Sequence, residues 1–144
     1  MKKLFAAAVL SLVAGLVHAD GSPVGLWKTI DDDGKTEKSL VRITEKDGVL
    51  TGTIEKVFEA GKQDAKCDKC SDDRKDKPVT GMQIIRGVKQ DSDDKLHWVG
   101  GEILDPNNGK VYKTRLKPVE GGKKLEMRGY IGFFYRTQVW LRVE

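Results

Sequence analysis

The chain has 144 residues, with 26 Lys+Arg against 22 Asp+Glu, 38% hydrophobic and 33% charged side chains, 16 Gly, 4 Pro and 2 Cys. This composition excludes a polytopic membrane protein, and it disfavours wholesale disorder, a collagen-like repeat and a disulfide-dense mini-scaffold. We expect one globular domain with a single hydrophobic core.

Residues 1–19 have the features of a cleaved signal peptide. Met1-Lys2-Lys3 is positively charged, Leu4 to Val17 is apolar, and small residues end at Ala19. The apolar run is shorter than the roughly 20 residues that span a bilayer, and no stop-transfer charges follow it. The residue directly after the cleavage site is Asp20 and not Cys, which disfavours a lipoprotein anchor. We therefore expect a mature domain of residues 20–144, periplasmic or secreted, without a transmembrane segment.

The charge pattern argues against nucleic acid as a partner. Cleavage would remove Lys2 and Lys3 and lower the formal net charge from +4 to +2. The acidic runs 31–33 and 91–94 lie between basic ones, so the sequence shows no single-sign field that would steer nucleic acid or anionic lipid. We expect a monomer.

Both cysteines lie in the motif Cys67-Asp68-Lys69-Cys70. In an oxidising compartment this pair favours a structural disulfide. A thioredoxin-like redox pair would need a helix N-terminus within a βαβ unit, and the charged flanks lack that pattern. A zinc site would need two further ligands, and His97 is the one His that the mature chain offers. The disulfide is the preferred interpretation, with redox and metal roles as alternatives.

After Pro23 the chain consists of short β-rich runs bounded by Gly, Asp, Asn or Lys clusters, and no apolar period of 3.6 persists. Sequential hairpins at regular spacing predict an all-β fold, an eight-stranded up-and-down antiparallel barrel with one long disulfide-bearing loop. The predicted strands are Val24–Ile30, Ser39–Glu45, Val49–Phe58, Met82–Gln90, Leu96–Asp105, Lys110–Pro118, Lys124–Ile131 and Arg136–Val143.

Alternation along three strands predicts which residues face the interior. The predicted inward residues are Val41, Ile43, Leu50, Gly52, Ile54, Val139, Leu141 and Val143. Glycines inside strands predict bulges and sharp coiling, and these are Gly52, Gly87, Gly100, Gly101 and Gly129. The long insertion from Glu59 to Val79 is expected to cover a barrel end or to carry a function, and Ser71 is predicted to cap a single helical turn within it.

No catalytic constellation is evident in the sequence. A Ser-His-Asp or Cys-His mechanism would have to use His97, which lies beside Trp98 in a predicted strand. Asp31-Asp32-Asp33-Gly34 lacks the ligand spacing of an EF-hand, and Glu120-Gly121-Gly122 lacks that of a P-loop. We therefore expect no enzyme activity, no cofactor and no metal.

Aromatic residues crowd the later strands and suggest a lined barrel mouth. An eight-stranded barrel has room either for packed side chains or for one small ligand. Arginines beside the aromatics would suit a carboxylate or phosphate headgroup. The alternatives are an ordinary core and solvated charges. The candidate ligand-binding residues are Trp98, Tyr112, Arg128, Tyr130, Phe133, Phe134 and Arg136.

Gly25-Leu26-Trp27 resembles the Gly-x-Trp signature of lipocalin-type barrels. In that family the Trp caps the closed end and an Arg near the chain's end packs over it, a position that Arg142 matches here. The resemblance therefore implies barrel closure through Trp27 and Arg142, and a guanidinium over an indole is a physically favourable contact.

The whole mature chain resembles a family of exported bacterial proteins, domain of unknown function 2147. The resemblance implies a lipocalin-like fold and a periplasmic or secreted location, with no established activity. Phe133-Phe134-Tyr135 departs from the family in being more aromatic. The matching stretches are Pro23 to Trp27, Cys67 to Cys70, Gly100 to Pro106, Gly109 to Tyr112, Arg128 to Gly132 and Arg136 to Trp140.

Three functions fit the sequence. The first is non-covalent binding of a small apolar or amphipathic ligand inside the barrel. The second is a structural or interaction protein of the cell envelope, with a filled barrel and the loop bearing Cys67 and Cys70 as its contact surface. The third is a periplasmic redox protein that uses the same cysteine pair.

Overall fold

The computed structural model describes residues 21–144, so the predicted signal peptide lies outside the described residues. Eight antiparallel strands pair in chain order and close into a barrel, as the sequence predicts. Within residues 21–144 there is no helix, and hence none long and apolar enough to cross a membrane. The strands are β1 (Gly25–Ile30), β2 (Glu37–Lys46), β3 (Val49–Val57), β4 (Gln83–Gln90), β5 (Trp98–Asp105), β6 (Lys110–Val119), β7 (Lys124–Ile131) and β8 (Phe134–Arg142).

Two tight hairpins at one end of the barrel follow from their turn residues. Asp47 and Gly48 join β2 to β3 with φ of 53° and 78°, and Glu120 and Gly121 begin the β6–β7 turn with φ of 51° and 65°. Positive φ at successive turn residues matches the twist of the flanking strands, and Asp and Gly tolerate it. These turns lie at the end of the barrel where the described chain begins and ends.

That end is sealed around Trp27, which has no exposed surface. Its indole Nε1 donates to the Pro23 carbonyl at 2.7 Å, and the Arg142 guanidinium lies 4.2 Å from the ring centroid. Arg142 also donates to the carbonyls of Val24 and Ser22, both at 2.8 Å. The guanidinium therefore joins both ends of the described chain over the indole.

The interior is filled in the half of the barrel next to Trp27. Large side chains from every strand meet there, and burying their apolar surface is the main favourable term in folding. The most completely buried of them include Val41, Ile43, Leu50, Val88, Leu116 and Leu125. The predicted inward direction of the β2 and β3 residues is confirmed by their burial.

The predicted inward face of the last strand is wrong. Val139, Leu141 and Val143 are 42%, 38% and 51% exposed, whereas Trp140 is 2% exposed. Successive residues of a strand point to opposite faces, so one large inward indole sends its smaller neighbours outward. Burying the larger aromatic surface decides the register.

A bulge predicted from the glycines of β5 is present, and glycine there also permits close strand contact. The β5–β6 register shifts between Trp98 and Gly101, and Gly100 has a φ of 80°. A Cβ on Gly101 would lie 2.3 Å from the Arg86 carbonyl oxygen. A side chain there would push β4 and β5 apart.

Residues 58–82, which we call the cysteine loop, join β3 to β4 and contain no helix. The Lys75 N–H donates to the Asp72 carbonyl at 3.1 Å, so a hydrogen-bonded turn does follow Ser71, but the prediction that Ser71 caps it is wrong. Asp72 organises the segment instead, because its carboxylate accepts the Arg74 backbone N–H at 2.9 Å. An aspartate that bonds the backbone two residues later forms an Asx turn.

Candidate functional site

A cavity of about 490 Å³ occupies the half of the barrel opposite Trp27. The ends of β1, β3 and β5 and the loops that follow them surround it, so it opens where the cysteine loop lies. Its inner wall is apolar and consists of Ile54, Val79, Ile84, Ile103, Met127 and Trp140. The barrel is therefore packed at one end and hollow at the other.

A polar chain of hydrogen bonds runs up one wall of the cavity. Trp140 Nε1 donates to Gln138 Oε1 at 2.9 Å, and Gln138 Nε2 donates to Asp32 Oδ1 at 2.8 Å. The other oxygen of Asp32 pairs with Arg136 at 2.7 Å. Polar groups thus continue from the cavity floor to its rim, and they are paired with one another.

These contacts also complete the seam between the first and last strands. β1 and β8 form two residue pairs, Trp27 with Arg142 and Lys28 with Leu141, and below them Leu26 exchanges backbone hydrogen bonds with residues 143 and 144. Above these pairs the side chain of Asp32 spans the gap to Arg136 and Gln138. The wall at this point is therefore held by side chains, which can rearrange more readily than a backbone ladder.

A further polar contact of the cavity wall lies between β1 and β2, on the other side of β1 from the seam with β8. The hydroxyl groups of Thr29 and Ser39 are 2.7 Å apart, and both residues are buried and line the cavity. Tyr112 adds a hydroxyl that accepts from Asn108 Nδ2 at 3.0 Å. The cavity therefore offers several hydroxyl and amide groups above an apolar wall.

The cysteine loop covers part of the open end. The predicted disulfide between Cys67 and Cys70 is present, and both residues are buried. The loop packs on the β5–β6 hairpin so closely that a Cβ on Gly109 would lie 2.0 Å from the Lys69 carbonyl oxygen. Both sulfurs are thus enclosed by the hairpin rather than presented to solvent.

Two arginines attach the cysteine loop to β4, one from the loop and one from the strand. Arg74 is buried, pairs with Asp72 and donates to the Gln83 carbonyl at 2.9 Å. Arg86 forms a two-pronged pair with Asp73, at 2.9 and 3.0 Å. Hydrogen bonds from the Arg74 side chain and backbone lower the pKa of Asp72 from 3.8 to about 2. The loop therefore has fixed attachments rather than a free course.

The charges that line the cavity are balanced in sign. Five acidic and five basic residues contribute, so no net field favours one sign of ligand. Arg136 is already paired with Asp32, and Lys38 lies 4.0 Å from Glu59. The lining acids are Asp31, Asp32, Glu59, Asp68 and Asp105, and the bases are Lys38, Lys62, Lys66, Lys69 and Arg136.

The seven candidate ligand-binding residues are not gathered in one place. Tyr112 and Arg136 line the cavity. Trp98 is buried at the packed end, opposite Leu116 of β6. Arg128 and Tyr130 lie on the outer face, where the Arg128 guanidinium is 4.1 Å from the Tyr135 ring centroid.

The other two candidates, Phe133 and Phe134, project into solvent. They are 102% and 79% exposed and do not line the cavity. The β7–β8 hairpin extends beyond the barrel rim, since β8 pairs with β1 only near its far end. Aromatic residues that are adjacent in sequence are thus divided between the cavity, the outer face and the hairpin turn.

Several lining residues were not among the sequence candidates, notably Asp32, Met127, Gln138 and Trp140. Alternation from Trp140 would have placed Gln138 and Arg136 on the same face. The run Val139-Trp140-Leu141 is apolar on both faces, however, so alternation alone left the direction of β8 ambiguous. Asp32 carried no signal, because its role depends on a contact more than 100 residues away in the chain.

The one histidine of residues 21–144 lies at the packed end, away from the cavity. His97 Nδ1 is 2.7 Å from Asp94 Oδ2 in the β4–β5 connection, just before β5 begins. Within the described residues, no three His, Cys, Asp or Glu side chains are grouped so that they could hold a metal ion.

A closed eight-stranded barrel, packed at one end and hollow at the other, defines a lipocalin-like protein. Residues 25–142 match the family model described as an uncharacterised protein conserved in bacteria, DUF2147, so the chain belongs to this family. A solved structure entitled "Protein HP1028 from the human pathogen Helicobacter pylori belongs to the lipocalin family" is similar to it, with a TM-score of 0.71 at 18% identity over 85% of this chain and 84% of that one. At this identity the likeness shows the fold alone. No curated protein matches the sequence significantly.

Proposed function

We propose that this protein binds one small amphipathic molecule in the open cavity, without covalent attachment. The observation that carries the proposal is the cavity of about 490 Å³, whose apolar wall has a polar hydrogen-bonding chain along one side. Protein pockets that bind small molecules have about this volume, and they combine an apolar lining with a few polar groups that orient the ligand.

The lining indicates how such a ligand would lie. Its apolar part would contact Ile84, Met127 and Trp140, and its polar part would face Gln138 and Asp32 nearer the rim. Since the charges at the rim are balanced, we favour a neutral or zwitterionic polar group over a strongly anionic one. The polar groups of the cavity wall are hydrogen-bonded to one another, so the protein without ligand does not bear the free-energy cost of unsatisfied buried polar groups.

Native mass spectrometry of the protein purified from its own cells, combined with a lipid and fatty-acid panel in thermal-shift assays, tests the proposal. A chain that carries one small molecule, or that a panel member stabilises, supports it. Gly129→Leu is the blocking variant, because Gly129 lines the cavity and a Cβ there meets Tyr112 at an ordinary 3.6 Å. Val139→Leu adds bulk to the outward face and serves as the matched control.

The contrary result is a wild-type protein with a bare mass and no thermal shift with any panel member. Equal ligand retention by Gly129→Leu and by the wild type would also contradict the proposal, because the ligand would then lie elsewhere.

The location of the protein is part of the proposal. We place it in the periplasm or outside the cell, on the basis of the positively charged and apolar segments of residues 1–19. The buried disulfide supports this location, since such bridges persist in oxidising compartments.

A further inference from the structure

The β7–β8 hairpin ends in an apolar turn that the cavity does not use. Ile131, Gly132, Phe133 and Phe134, which we call the hairpin tip, carry side chains that are 47% exposed at Ile131, 102% at Phe133 and 79% at Phe134. Gly132 has a φ of 54°, which allows a two-residue turn between the paired Ile131 and Phe134. Tight turns are usually polar, so two adjacent exposed phenyl rings at this point need a partner.

Next to the hairpin tip, the outer face of β6 and β7 is basic. The cross-strand pairs place Lys113 opposite Tyr130 and Arg115 directly opposite Arg128. Like charges in direct opposition destabilise a sheet, so an anionic partner would relieve this arrangement. We call Lys113, Arg115 and Arg128 the basic face.

The acidic residues near the basic face compensate its charge only in part. Glu102 lies opposite Lys113 on β5, and Glu126 lies opposite Lys117 on β6, nearer the packed end. No ion pair joins either glutamate to the basic face within the described residues. Acidic and basic runs alternate in the sequence, but the register of β6 and β7 collects cations on one surface.

Two tyrosines connect the hairpin tip to the basic face. The rings of Tyr130 and Tyr135 are 5.9 Å apart, and Arg128 lies over Tyr135 while its Nε donates to Thr137 at 3.1 Å. Along the hairpin from the turn toward the barrel, the order is phenyl rings, then phenols, then guanidinium groups, with Phe134 on the cavity side of β8 and the tyrosines on the outer face of the hairpin. Apolar groups, amphipathic aromatic rings and cations follow the same order across the interface of an anionic bilayer.

We propose that the hairpin tip and the basic face dock the protein on a membrane surface that contains anionic phospholipid. The phenyl rings enter the acyl boundary, the tyrosines lie at the level of the headgroups, and Arg115 and Arg128 pair with lipid phosphates. Charge complementarity favours lipid over a second copy of the chain, since a symmetric dimer through this surface would bring two basic faces together.

The proposal goes beyond ligand binding and does not depend on it. Phe134 is two residues from Arg136, which lines the cavity, so docking would bring the cavity mouth close to the lipid surface. The protein would then be placed where a membrane-derived molecule could enter or leave.

Co-sedimentation of the mature protein with vesicles tests the proposal. One set of vesicles contains phosphatidylglycerol and phosphatidylethanolamine, and the other contains phosphatidylcholine alone. We expect binding to the anionic set at low salt, and weaker binding as salt is added. The double variant Phe133→Ser/Phe134→Ser should bind at least about tenfold more weakly, because each buried phenyl ring contributes substantially to partition. Arg115→Gln/Arg128→Gln should lose roughly tenfold on the anionic vesicles.

Two matched controls come from other parts of the barrel. Leu96→Ser removes an apolar side chain that is 60% exposed at the packed end, and Lys46→Gln removes an exposed charge there. Both should bind vesicles like the wild type. Because Phe133 and Phe134 are exposed, their replacement should leave the melting temperature unchanged.

Three results would overturn the proposal. In the first, the wild type does not bind the anionic vesicles at low salt. In the second, the Phe133→Ser/Phe134→Ser variant binds them as well as the wild type does. In the third, size-exclusion chromatography shows a dimer that this variant dissociates, with no vesicle binding, which would make the hairpin tip a self-association surface.

Discussion

At the scale of single residues, three glycines control how closely parts of the barrel approach. A Cβ on Gly25 would lie 2.4 Å from the Glu144 carbonyl oxygen, one on Gly101 2.3 Å from that of Arg86, and one on Gly109 2.0 Å from that of Lys69. All three belong to the stretches that carry the family resemblance. The resemblance therefore includes the fold's tightest backbone contacts, and its last stretch, Arg136 to Trp140, also includes residues that line the cavity.

Gly109→Ala should destabilise the protein by about 2–4 kcal/mol. The new methyl group would displace the cysteine loop, and the alanine would have to keep the left-handed φ of 72° that Gly109 has. Gly34→Ala is the matched control, since Gly34 has the same φ of 72° but nothing within 4 Å of its Cβ position. The control should cost only about 1 kcal/mol. Urea unfolding of both variants measures the difference, and equal losses would show that the loop does not depend on this contact.

The candidate site illustrates what residue types alone can indicate. Sequence reasoning identified Tyr112 and Arg136, which do line the cavity, from their place among aromatic and basic neighbours. The same reasoning wrongly included Phe133 and Phe134, because a cluster of aromatic residues in the sequence suggests a pocket even where the side chains are exposed. Whether an aromatic residue of the β7–β8 hairpin lines the cavity depends on how far this hairpin extends beyond the barrel rim. The local sequence pattern does not indicate that distance.

At the scale of elements, all eight strands could be predicted because alternation and turn chemistry agree along most of the chain. Their observed ends differ from the prediction by at most two residues, as at β2, which begins at Glu37 rather than Ser39. The direction of β8 could not be predicted, because Val139, Trp140 and Leu141 are apolar on both faces. Packing against the other strands decided it.

The cysteine loop should lose part of its order in acid, because Asp72 holds the Arg74 side chain that donates to the Gln83 carbonyl of β4. The pKa of Asp72 is lowered from 3.8 to about 2 by hydrogen bonds from Arg74, so the ionised form is favoured in the folded loop. The resulting stability is complete above about pH 4 and is lost as the pH falls through about 2. Amide hydrogen exchange, corrected for intrinsic rates, should show falling protection in residues 66–79 over this range, before the barrel strands lose theirs.

Asp72→Asn should reduce this pH dependence and lower protection of the cysteine loop at neutral pH. The rest of the dependence comes from Asp73, whose pKa is lowered by hydrogen bonds from Arg86. Asp33 provides the control, because hydrogen bonds from Thr36 also lower its pKa to about 2, but in the β1–β2 turn. Asp33→Asn should leave the cysteine loop unaffected. A cysteine loop that stays equally protected from pH 7 to below about pH 2 would contradict the assigned role of Asp72.

At the scale of the whole molecule, the barrel has two different ends. Trp27 and Arg142 seal one end where the two ends of the described chain meet, and the cysteine loop partly covers the other. The up-and-down topology makes this division natural, since alternate connections lie at opposite ends. The cysteine loop, which is the longest connection between strands, lies at the cavity end.

Expression of the full chain in a bacterial host should yield an exported protein that begins at Asp20. The expected intact mass is that of residues 20–144, less two hydrogen atoms for the disulfide between Cys67 and Cys70. Intact-mass analysis of the periplasmic and culture fractions measures this directly. A protein that remains in the cytoplasm with Met1 or Lys2 at its N-terminus would contradict the proposed location.

The central claim, that a small amphipathic molecule occupies the cavity beside Trp140, is tested most directly by fluorescence titration of that indole. Trp27 and Trp98 lie outside the cavity lining, so a bound ligand should change the emission of the wild type but not that of Trp140→Phe. Gly129→Leu should weaken the apparent affinity by at least about tenfold, because its side chain competes for the same space. No change of wild-type emission with any neutral, zwitterionic or fatty-acid ligand, or the same change in Trp140→Phe, would contradict the account.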